Sequence, residues 1–166
     1  MSADTVPERE FLAWSEMQEA TRSLAQTIHD SGFRPDFVLA IARGGLIIAG
    51  SLAYALGVKN TAAMSVEFYT GVDQRLEVPM ILPPVPELID LENSNLLIAD
   101  DVADTGMTLQ LVRDFVAPRV AEVRTACLYE KPRSVIRCDY VWRRTDRWIV
   151  FPWSADPPVS GLQLEA

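Results

Sequence analysis

Residues 96–108 read LLIADDVADTGMT, and the organisation of the whole chain can be built outward from them. The first four residues are apolar and predict a buried strand, because strands covered on both faces of a parallel sheet are continuously hydrophobic. Two adjacent carboxylates, Asp100 and Asp101, then emerge where this strand is expected to leave the sheet. Neighbouring carboxylates repel each other unless a cation or a hydroxyl group lies close by. A magnesium ion and a sugar diol both meet that need, because carboxylates bind hard cations and accept hydrogen bonds.

The next five residues, Asp104 to Thr108, place a glycine and two threonine hydroxyls at the start of a predicted helix that continues to Val116. Free backbone N–H groups and the helix dipole make such a turn suitable for binding an anion. The alternative is a loop whose Asp and Thr side chains only cap the helix. Three aspartates, two threonines and a glycine within nine residues are more than capping requires. The pattern therefore predicts a ribose 5-phosphate pocket.

Strands and helices alternate on both sides of this stretch. Four apolar or β-rich segments predict strands, at residues 37–41, 61–69, 96–99 and 123–128. A glycine turn, Arg43-Gly44-Gly45, follows the first of them and leads into a small-residue helix that ends at Gly57. The alternation predicts an α/β fold with a mostly parallel twisted sheet flanked by helices. Ligands bind beyond the carboxyl ends of the strands in such sheets, and both informative turns lie there.

The N-terminal region predicts a helix with one apolar face. Ser15 and Gln18 have the spacing of a capping box, and Gly32 is placed to end the helix. The apolar face consists of Met17, Ala20, Leu24, Ala25 and Ile28. We expect His29, the single histidine of the chain, to have a structural role at the edge of this face.

Composition narrows the class of protein. The chain has 166 residues, 49% of them hydrophobic, so we expect one domain over residues 1–166 with a loosely ordered tail at 157–166. The formal net charge of −8 argues against nucleic-acid binding, and no apolar stretch is long enough to span a membrane. Two cysteines, Cys127 and Cys138, cannot form a disulfide framework and are typical of reduced thiols in a cytoplasmic protein.

Residues 97–108 resemble the phosphoribosyl pyrophosphate (PRPP) signature of type I phosphoribosyltransferases. Over residues 14–154 the chain is similar to the hypoxanthine and xanthine-guanine phosphoribosyltransferases. Further segments match that family in order and spacing: its pyrophosphate loop at 42–45, its mobile active-site loop at Gln74-Arg75, its purine-contacting lysine segment at 130–132, and its base-stacking segment at Trp148-Ile149 and Pro152-Trp153. The resemblance implies a type I phosphoribosyltransferase fold with a small base-binding hood.

The resemblance also implies which residues bind the sugar, the phosphate and the pyrophosphate. Asp100 and Asp101 are expected to hold the ribose hydroxyls, directly or through Mg²⁺. The 5′-phosphate is expected to lie against Thr105, Gly106, Met107 and Thr108. The pyrophosphate is expected to lie against Arg43, Gly44 and Arg75. The family often has a non-proline cis peptide in its pyrophosphate loop.

The purine side of the site follows from the same resemblance. Asp104, which also borders the PRPP pocket, is expected to face N7 of the purine as general acid and base. Lys131 is expected to donate to the 6-oxo group, while Trp148 stacks on the ring and the Ile149 carbonyl contacts the 2-position. Trp153 is expected to pack in the core.

Three positions depart from the family pattern. Met107 stands where the family often has glycine, which narrows the phosphate turn but leaves its N–H in place. Val150 stands where some relatives have an acidic residue near the base. Ser154 replaces an acidic residue associated with a second metal ion, for which Asp156 is a candidate substitute.

The function predicted from the resemblance is transfer of the 5-phosphoribosyl group from PRPP to a 6-oxopurine, with release of pyrophosphate. The 6-oxopurine is hypoxanthine, guanine or xanthine, the cofactor is Mg²⁺, and relatives suggest a homodimer or homotetramer. Two alternatives stay open at this point. One is a phosphoribosyltransferase for another base, and the other is a regulatory protein that binds PRPP without turnover.

Overall fold

The computed structural model describes residues 8–69, 78–82 and 91–161. Within these residues the chain forms eight strands: β1 (Arg9–Phe11), β2 (Phe37–Ala42), β3 (Asn60–Tyr69), β4 (Val78–Leu82), β5 (Asn95–Ala103), β6 (Glu122–Glu130), β7 (Tyr140–Arg144) and β8 (Trp148–Val150). The helices are α1 (Trp14–Asp30), α2 (Gly44–Leu56) and α3 (Met107–Val116), followed by a short 3₁₀ helix at Ala117–Arg119.

Six of the strands form the central sheet, in the order β4-β3-β2-β5-β6-β7. Neighbouring strands are parallel except for β3 and β4, which pair antiparallel at the edge. From β2 the chain passes through α2 to β3 on one side, and from β5 it passes through α3 to β6 on the other. A crevice therefore opens beyond the carboxyl ends of β2 and β5, where the direction of winding reverses. The predicted mostly parallel sheet flanked by helices is confirmed.

Each face of the sheet carries its own apolar core, because successive side chains of a strand point to opposite faces. On one face, Val38 of β2 and Leu97 of β5 pack with the buried sides of α1 and α2. On the other face, Leu39 and Ile98 pack with the buried side of α3. Helices cover both faces, which explains why β2 and β5 read as continuous apolar runs.

The two shortest strands form a separate parallel sheet. Glu10 of β1 pairs with Ile149 of β8, and Phe11 pairs with Val150. The Trp148 N–H donates to the Glu8 carbonyl oxygen at 2.9 Å, and Arg147 Nε lies 2.9 Å from Glu8 Oε2. The N-terminal strand therefore fixes the position of the segment that carries Trp148.

Helix α1 begins one residue before the predicted cap. Its N-cap is Ala13, so Ser15 already lies inside the first turn and the predicted Ser15–Gln18 capping box is wrong. The Glu16 carboxylate takes over the capping role, because its Oε2 accepts a hydrogen bond from the Ala13 N–H at 3.0 Å. The predicted apolar face is confirmed, since all five of its residues are buried.

Helix α2 has no charged residue in its 13-residue sequence, GGLIIAGSLAYAL. Even so, none of the helices in the described ranges is both long enough and apolar enough to cross a membrane. Two of the three glycines in α2 have different surroundings, because Gly45 is buried against β5 and Gly50 is exposed. The helix ends as predicted at Gly57, which has a φ of +72°.

Replacing these two glycines by alanine is expected to change the free energy of unfolding in opposite directions. A Cβ at Gly50 would meet no heavy atom within 4 Å, so Gly50→Ala should stabilise the protein by about 0.5–1 kcal/mol through helix propensity. A Cβ at Gly45 would lie 2.5 Å from the Ala99 carbonyl oxygen, so Gly45→Ala should cost on the order of 1–3 kcal/mol. Denaturant unfolding measures both changes. A destabilised Gly50→Ala or an unaffected Gly45→Ala would contradict this account.

Candidate active site

Both adjacent acids lie inside β5 and not beyond its end. The predicted exit of the strand before Asp100 is wrong, because pairing with β6 continues past the acids, with Asp100 opposite Cys127 and Val102 opposite Tyr129. Asp100 shares a strand face with Ile98 in the core beneath α3, and Asp101 points to the face covered by α2. The ladder of hydrogen bonds therefore holds the backbone of both acids rigidly at the crevice.

Burial shifts the proton affinity of both carboxylates. It raises the pKa of Asp100 well above its usual value, and repulsion from Asp101 raises it further. Burial also raises the pKa of Asp101, against the hydrogen bond that its Oδ1 accepts from the Val102 N–H at 2.7 Å. Asp100 Oδ1 accepts a hydrogen bond from the Asp101 N–H at 2.9 Å. The backbone thus orients both side chains, while burial makes their negative charge costly in the absence of a ligand.

The glycine turn after β2 packs directly against these acids. A Cβ on Gly44 would overlap with the Asp101 carboxylate. A Cβ on Gly45 would lie 3.2 Å from Asp100 Oδ1 in addition to its contact with the Ala99 carbonyl. Neither position leaves room for a side chain. The two glycines therefore allow the start of α2 to approach the carboxyl end of β5.

A third glycine shapes the turn that leads into α3. Gly106 is the N-cap of that helix and has a φ of +77°, in the left-handed region that favours glycine. A Cβ there would also lie 2.8 Å from Ile136 Cγ2 and would overlap with the Ser134 hydroxyl. Glycine at this position therefore lets the turn pass closely beneath residues 134–136.

A cavity of about 410 Å³ lies over this turn. The cavity is lined by acidic residues, by the turn before α3 and by apolar side chains. These residues are Phe68, Asp100, Val102, residues 103–108 and Leu109. Because the first N–H groups of a helix lack intrahelical partners and the dipole is positive at that end, the cavity favours an anion. The predicted phosphate turn and the carboxylate Asp100 thus border one cavity.

Asp104 lies between this cavity and two cations. Arg133 Nε donates to Asp104 Oδ1 at 2.8 Å, and a terminal guanidinium nitrogen donates to Oδ2. Lys131 Nζ lies 3.8 Å from Asp104 Oδ1 and 5.6 Å from the centre of the Trp148 ring. Lys131 is buried, and Trp148 is 46% exposed. A carboxylate, an ammonium group and an accessible indole face thus form one cluster beside the turn.

Glu130, the residue before Lys131, anchors the loop that carries Lys131 and Arg133. Its side chain is completely buried and accepts hydrogen bonds from Arg137 (3.0 Å), Arg144 (2.9 Å) and the Cys138 N–H (2.8 Å). Burial raises the pKa of Glu130, but the Cys138 N–H and the two arginines outweigh it, and the resulting pKa is lowered. The ionised Glu130 therefore ties the end of β6 to the loop at residues 137–138 and to β7.

Two other residues named from the resemblance, Arg43 and Ile149, are among the described residues. Arg43 is exposed at the N-terminus of α2, beside Gly44, and the Ala42–Arg43 peptide bond is cis, as the resemblance implies. The Ile149 side chain is buried, and its backbone pairs with Glu10. Arg75 and the loop around it lie outside the described residues.

Sequence reasoning missed two residues of the site. Phe68 borders the cavity because β3 ends on the same side of the sheet as β2 and β5, and a position near the end of a parallel strand was a usable signal. Arg133 contacts Asp104 across 29 positions of sequence, and only the fold brings the two together.

The comparisons with known proteins agree with this geometry. The family model described as a phosphoribosyl transferase domain matches residues 8–158. The chain belongs to the phosphoribosyltransferase family. It is 31% identical over 162 residues to the xanthine-guanine phosphoribosyltransferase of Gluconobacter oxydans, which covers 95% of this chain and 93% of the relative. A corresponding enzyme from a Ruegeria species is 30% identical over 153 residues, covering 86% of this chain and 83% of the relative.

A solved structure supports the same assignment. The purine phosphoribosyltransferase from Pyrococcus horikoshii superposes with a TM-score of 0.81 at 38% identity, covering 91% of this chain and 97% of that one. The predictions of a type I phosphoribosyltransferase, of its purine branch and of an enzyme are confirmed. The relatives named here are phosphoribosyltransferases, which favours an enzyme over the alternative of a regulatory protein that binds PRPP without turnover.

The described residues contain no group of three or more His, Cys, Asp or Glu side chains that could hold a metal ion by themselves. Asp100 and Asp101 nevertheless suit Mg²⁺, because both are hard oxygen donors whose burial makes an unpartnered negative charge unfavourable. Mg²⁺ commonly uses one or two carboxylates together with substrate phosphates. The donor set therefore fits a magnesium ion that arrives with a phosphorylated substrate.

Asp100→Asn is expected to stabilise the protein at neutral pH without divalent cations. The pKa of Asp100 is raised in the folded protein, so its carboxyl group does not destabilise the fold below the unfolded pKa near 4. The destabilisation grows as the pH rises above that value towards the folded pKa. Removing the charge should contribute about 1 kcal/mol, or about 2–4 °C in Tm. Thermal unfolding at pH 3.5 and pH 7.5 measures this gain.

The exposed Asp146→Asn is the matched control and should change Tm little at either pH. A lower Tm for Asp100→Asn at pH 7.5, or an equal gain at both pH values, would contradict the burial argument.

Proposed function

We propose that this enzyme transfers the 5-phosphoribosyl group of PRPP to a 6-oxopurine and releases pyrophosphate. The observation that carries the proposal is the cluster beside the α3 turn. Asp104 borders an anion-favouring cavity, while Lys131 lies 3.8 Å from its carboxylate and 5.6 Å from the Trp148 ring centre. A proton acceptor, a donor for an oxo group and a stacking surface are the groups that an oxopurine next to a ribose phosphate requires.

On the sugar side, we propose that the 5′-phosphate accepts hydrogen bonds from the backbone N–H groups of residues 105–108 and from the Thr105 and Thr108 hydroxyls. Asp100 and Asp101 then face the ribose hydroxyls. As the bond to pyrophosphate lengthens, the sugar gains oxocarbenium character, and neighbouring carboxylates stabilise that positive charge. The backbone hydrogen bonds to both acids support this role, because they fix the carboxylates before the substrate arrives.

On the leaving-group side, Arg43 and the Gly44 N–H are proposed to bind the pyrophosphate. Magnesium, held by Asp100 or Asp101 together with the substrate, would neutralise the negative charge that develops on this group. The close packing of Gly44 against Asp101 supports the assignment, because it brings the pyrophosphate loop next to the ribose-binding acids. Arg75 is proposed to reach the same group.

On the purine side, Asp104 is proposed to take the N7 proton, which is general-base catalysis. Lys131 donates to the 6-oxo group, and its burial supports a directed interaction over a freely solvated charge. Trp148 supplies the stacking face, and the paired backbone of β1 and β8 holds it in place. The Ile149 carbonyl is proposed to contact the 2-position of the base.

We also propose a cytoplasmic location and a homo-oligomeric state, with PRPP and the purine as small-molecule partners. Cys127 and Cys138 are buried free thiols with their sulfur atoms 3.3 Å apart. The hydrogen bond with Cys138, together with burial, raises the pKa of Cys127 well above its usual value, which keeps the thiol unreactive. Such thiols support a reducing compartment.

A panel of bases incubated with PRPP and Mg²⁺ tests the proposal, with the nucleotides formed identified by mass spectrometry. The wild-type protein should convert hypoxanthine, guanine or xanthine and leave uracil unchanged. Lys131→Ala should lower kcat/KM for the 6-oxopurine by about tenfold to a hundredfold, through loss of a buried charged donor.

Lys59→Ala is the matched control, because Lys59 is exposed. Nucleotide formation from uracil alone, or a Lys131→Ala variant as active on 6-oxopurines as Lys59→Ala, would overturn the proposed substrate class.

A further inference from the structure

Both carboxylate oxygens of Asp104 are engaged by Arg133. Nε donates to Oδ1 at 2.8 Å, and a terminal nitrogen donates to Oδ2, which is the two-pronged geometry that arginine makes with carboxylates. Asp104 is also 3.8 Å from the Lys131 ammonium through Oδ1. The carboxylate therefore lies between two cations and is in full hydrogen-bonding contact with only one of them.

The backbone around Arg133 is fixed on both sides of Asp104. The Lys131 N–H donates to the Ala103 carbonyl at 3.0 Å, and the Val135 N–H donates to the Thr105 carbonyl at 2.8 Å. Ser134 is buried, and its hydroxyl donates to the Ile136 carbonyl at 2.7 Å. Because this loop is tied to the residues before and after Asp104, the backbone of Arg133 stays within reach of the carboxylate.

The Arg133 side chain itself is free to respond to a ligand. It is 63% exposed, whereas the Asp104 side chain is 36% exposed. Because water screens an ion pair this accessible, a purine can displace the guanidinium from one oxygen while the second contact still holds the carboxylate. Arg133 is therefore suited to hold Asp104 in the free enzyme and to release one carboxylate oxygen when the base binds.

We propose that Arg133 is a positioning residue that keeps Asp104 from closing onto Lys131. By taking both carboxylate oxygens, it leaves the Lys131 ammonium available for the 6-oxo group and holds Asp104 turned towards the base. Without Arg133, the 3.8 Å gap between Asp104 and Lys131 would close into a direct ion pair, and both groups would be withdrawn from the purine. The inference rests on the roles proposed above for Asp104 and Lys131.

The test is a double-mutant cycle of Arg133→Met and Asp104→Asn, followed through kcat and the KM values of both substrates. Arg133→Met should lower kcat/KM for the purine by about tenfold to a hundredfold, as misplacement of reacting groups does. The KM for PRPP should stay within about twofold of its original value. Arg133→Lys, which keeps the charge but not the two-pronged geometry, should recover part of the loss.

The cycle separates positioning from a merely structural role. In the Asp104→Asn background, Arg133→Met should have little further effect, because Arg133 acts through that carboxylate. Arg119→Met is the control, since Arg119 is exposed and contacts the Phe115 carbonyl and ring. Arg133 variants should unfold at the same temperature as this control.

The positioning role of Arg133 and the proposed role of Asp104 are overturned by different results. If Arg133→Met lowers kcat/KM equally in both backgrounds, or raises the KM for PRPP instead of the KM for the purine, the positioning role is wrong. If Asp104→Asn itself keeps near-wild-type turnover instead of losing about 10²–10⁴-fold, the proposed function of Asp104 fails first, whatever Arg133 does.

Discussion

The close contact between the glycine turn after β2 and the carboxyl end of β5 is the constraint on which the site depends. A side chain on Gly44 would overlap with Asp101, and one on Gly45 would lie 2.5 Å from the Ala99 carbonyl oxygen. This contact occurs at the switch point of the sheet, where α2 and α3 cover opposite faces. The proposed pyrophosphate loop and the proposed ribose acids therefore meet because two strands and two glycines bring them together, with no long loop required.

Charge is distributed unevenly across the crevice. Asp100 is buried and Asp101 is half-buried, and the pKa values of both are raised, so their ionisation destabilises the substrate-free protein at this end of the site. At the other end, Asp104 is flanked by Arg133 and Lys131, and nearby Glu130 is stabilised by Arg137 and Arg144. A phosphorylated substrate that carries a cation would neutralise the charge of Asp100 and Asp101. A neutral base with a 6-oxo group fits beside Asp104 and Lys131. Such a site is less stable than an apolar one, which is a common cost of function.

The sequence was a good guide to elements and a poorer guide to their ends. Continuous apolar runs and glycine stops predicted β2, α2 and β5 because burial on both faces leaves a strong pattern. Asp100 and Asp101 were expected outside β5, since a carboxylate inside a buried strand is unfavourable unless the backbone and a ligand compensate it. The α1 cap was misassigned because Glu16 satisfies the Ala13 N–H without an N-cap hydroxyl. Arg133 could not be predicted as a partner of Asp104, because no periodicity encodes a contact between a turn and a distant loop.

A crystal structure of the protein with guanosine monophosphate and Mg²⁺ would show whether the start of α3 and the neighbouring acids bind the ribose phosphate. The phosphate oxygens should accept hydrogen bonds from the N–H groups of residues 105–108, with the ribose hydroxyls facing Asp100 and Asp101. The base should stack on the Trp148 ring, and its 6-oxo group should accept a hydrogen bond from Lys131. A nucleotide bound in the crevice with its phosphate away from the start of α3, or bound at another surface altogether, would contradict this arrangement.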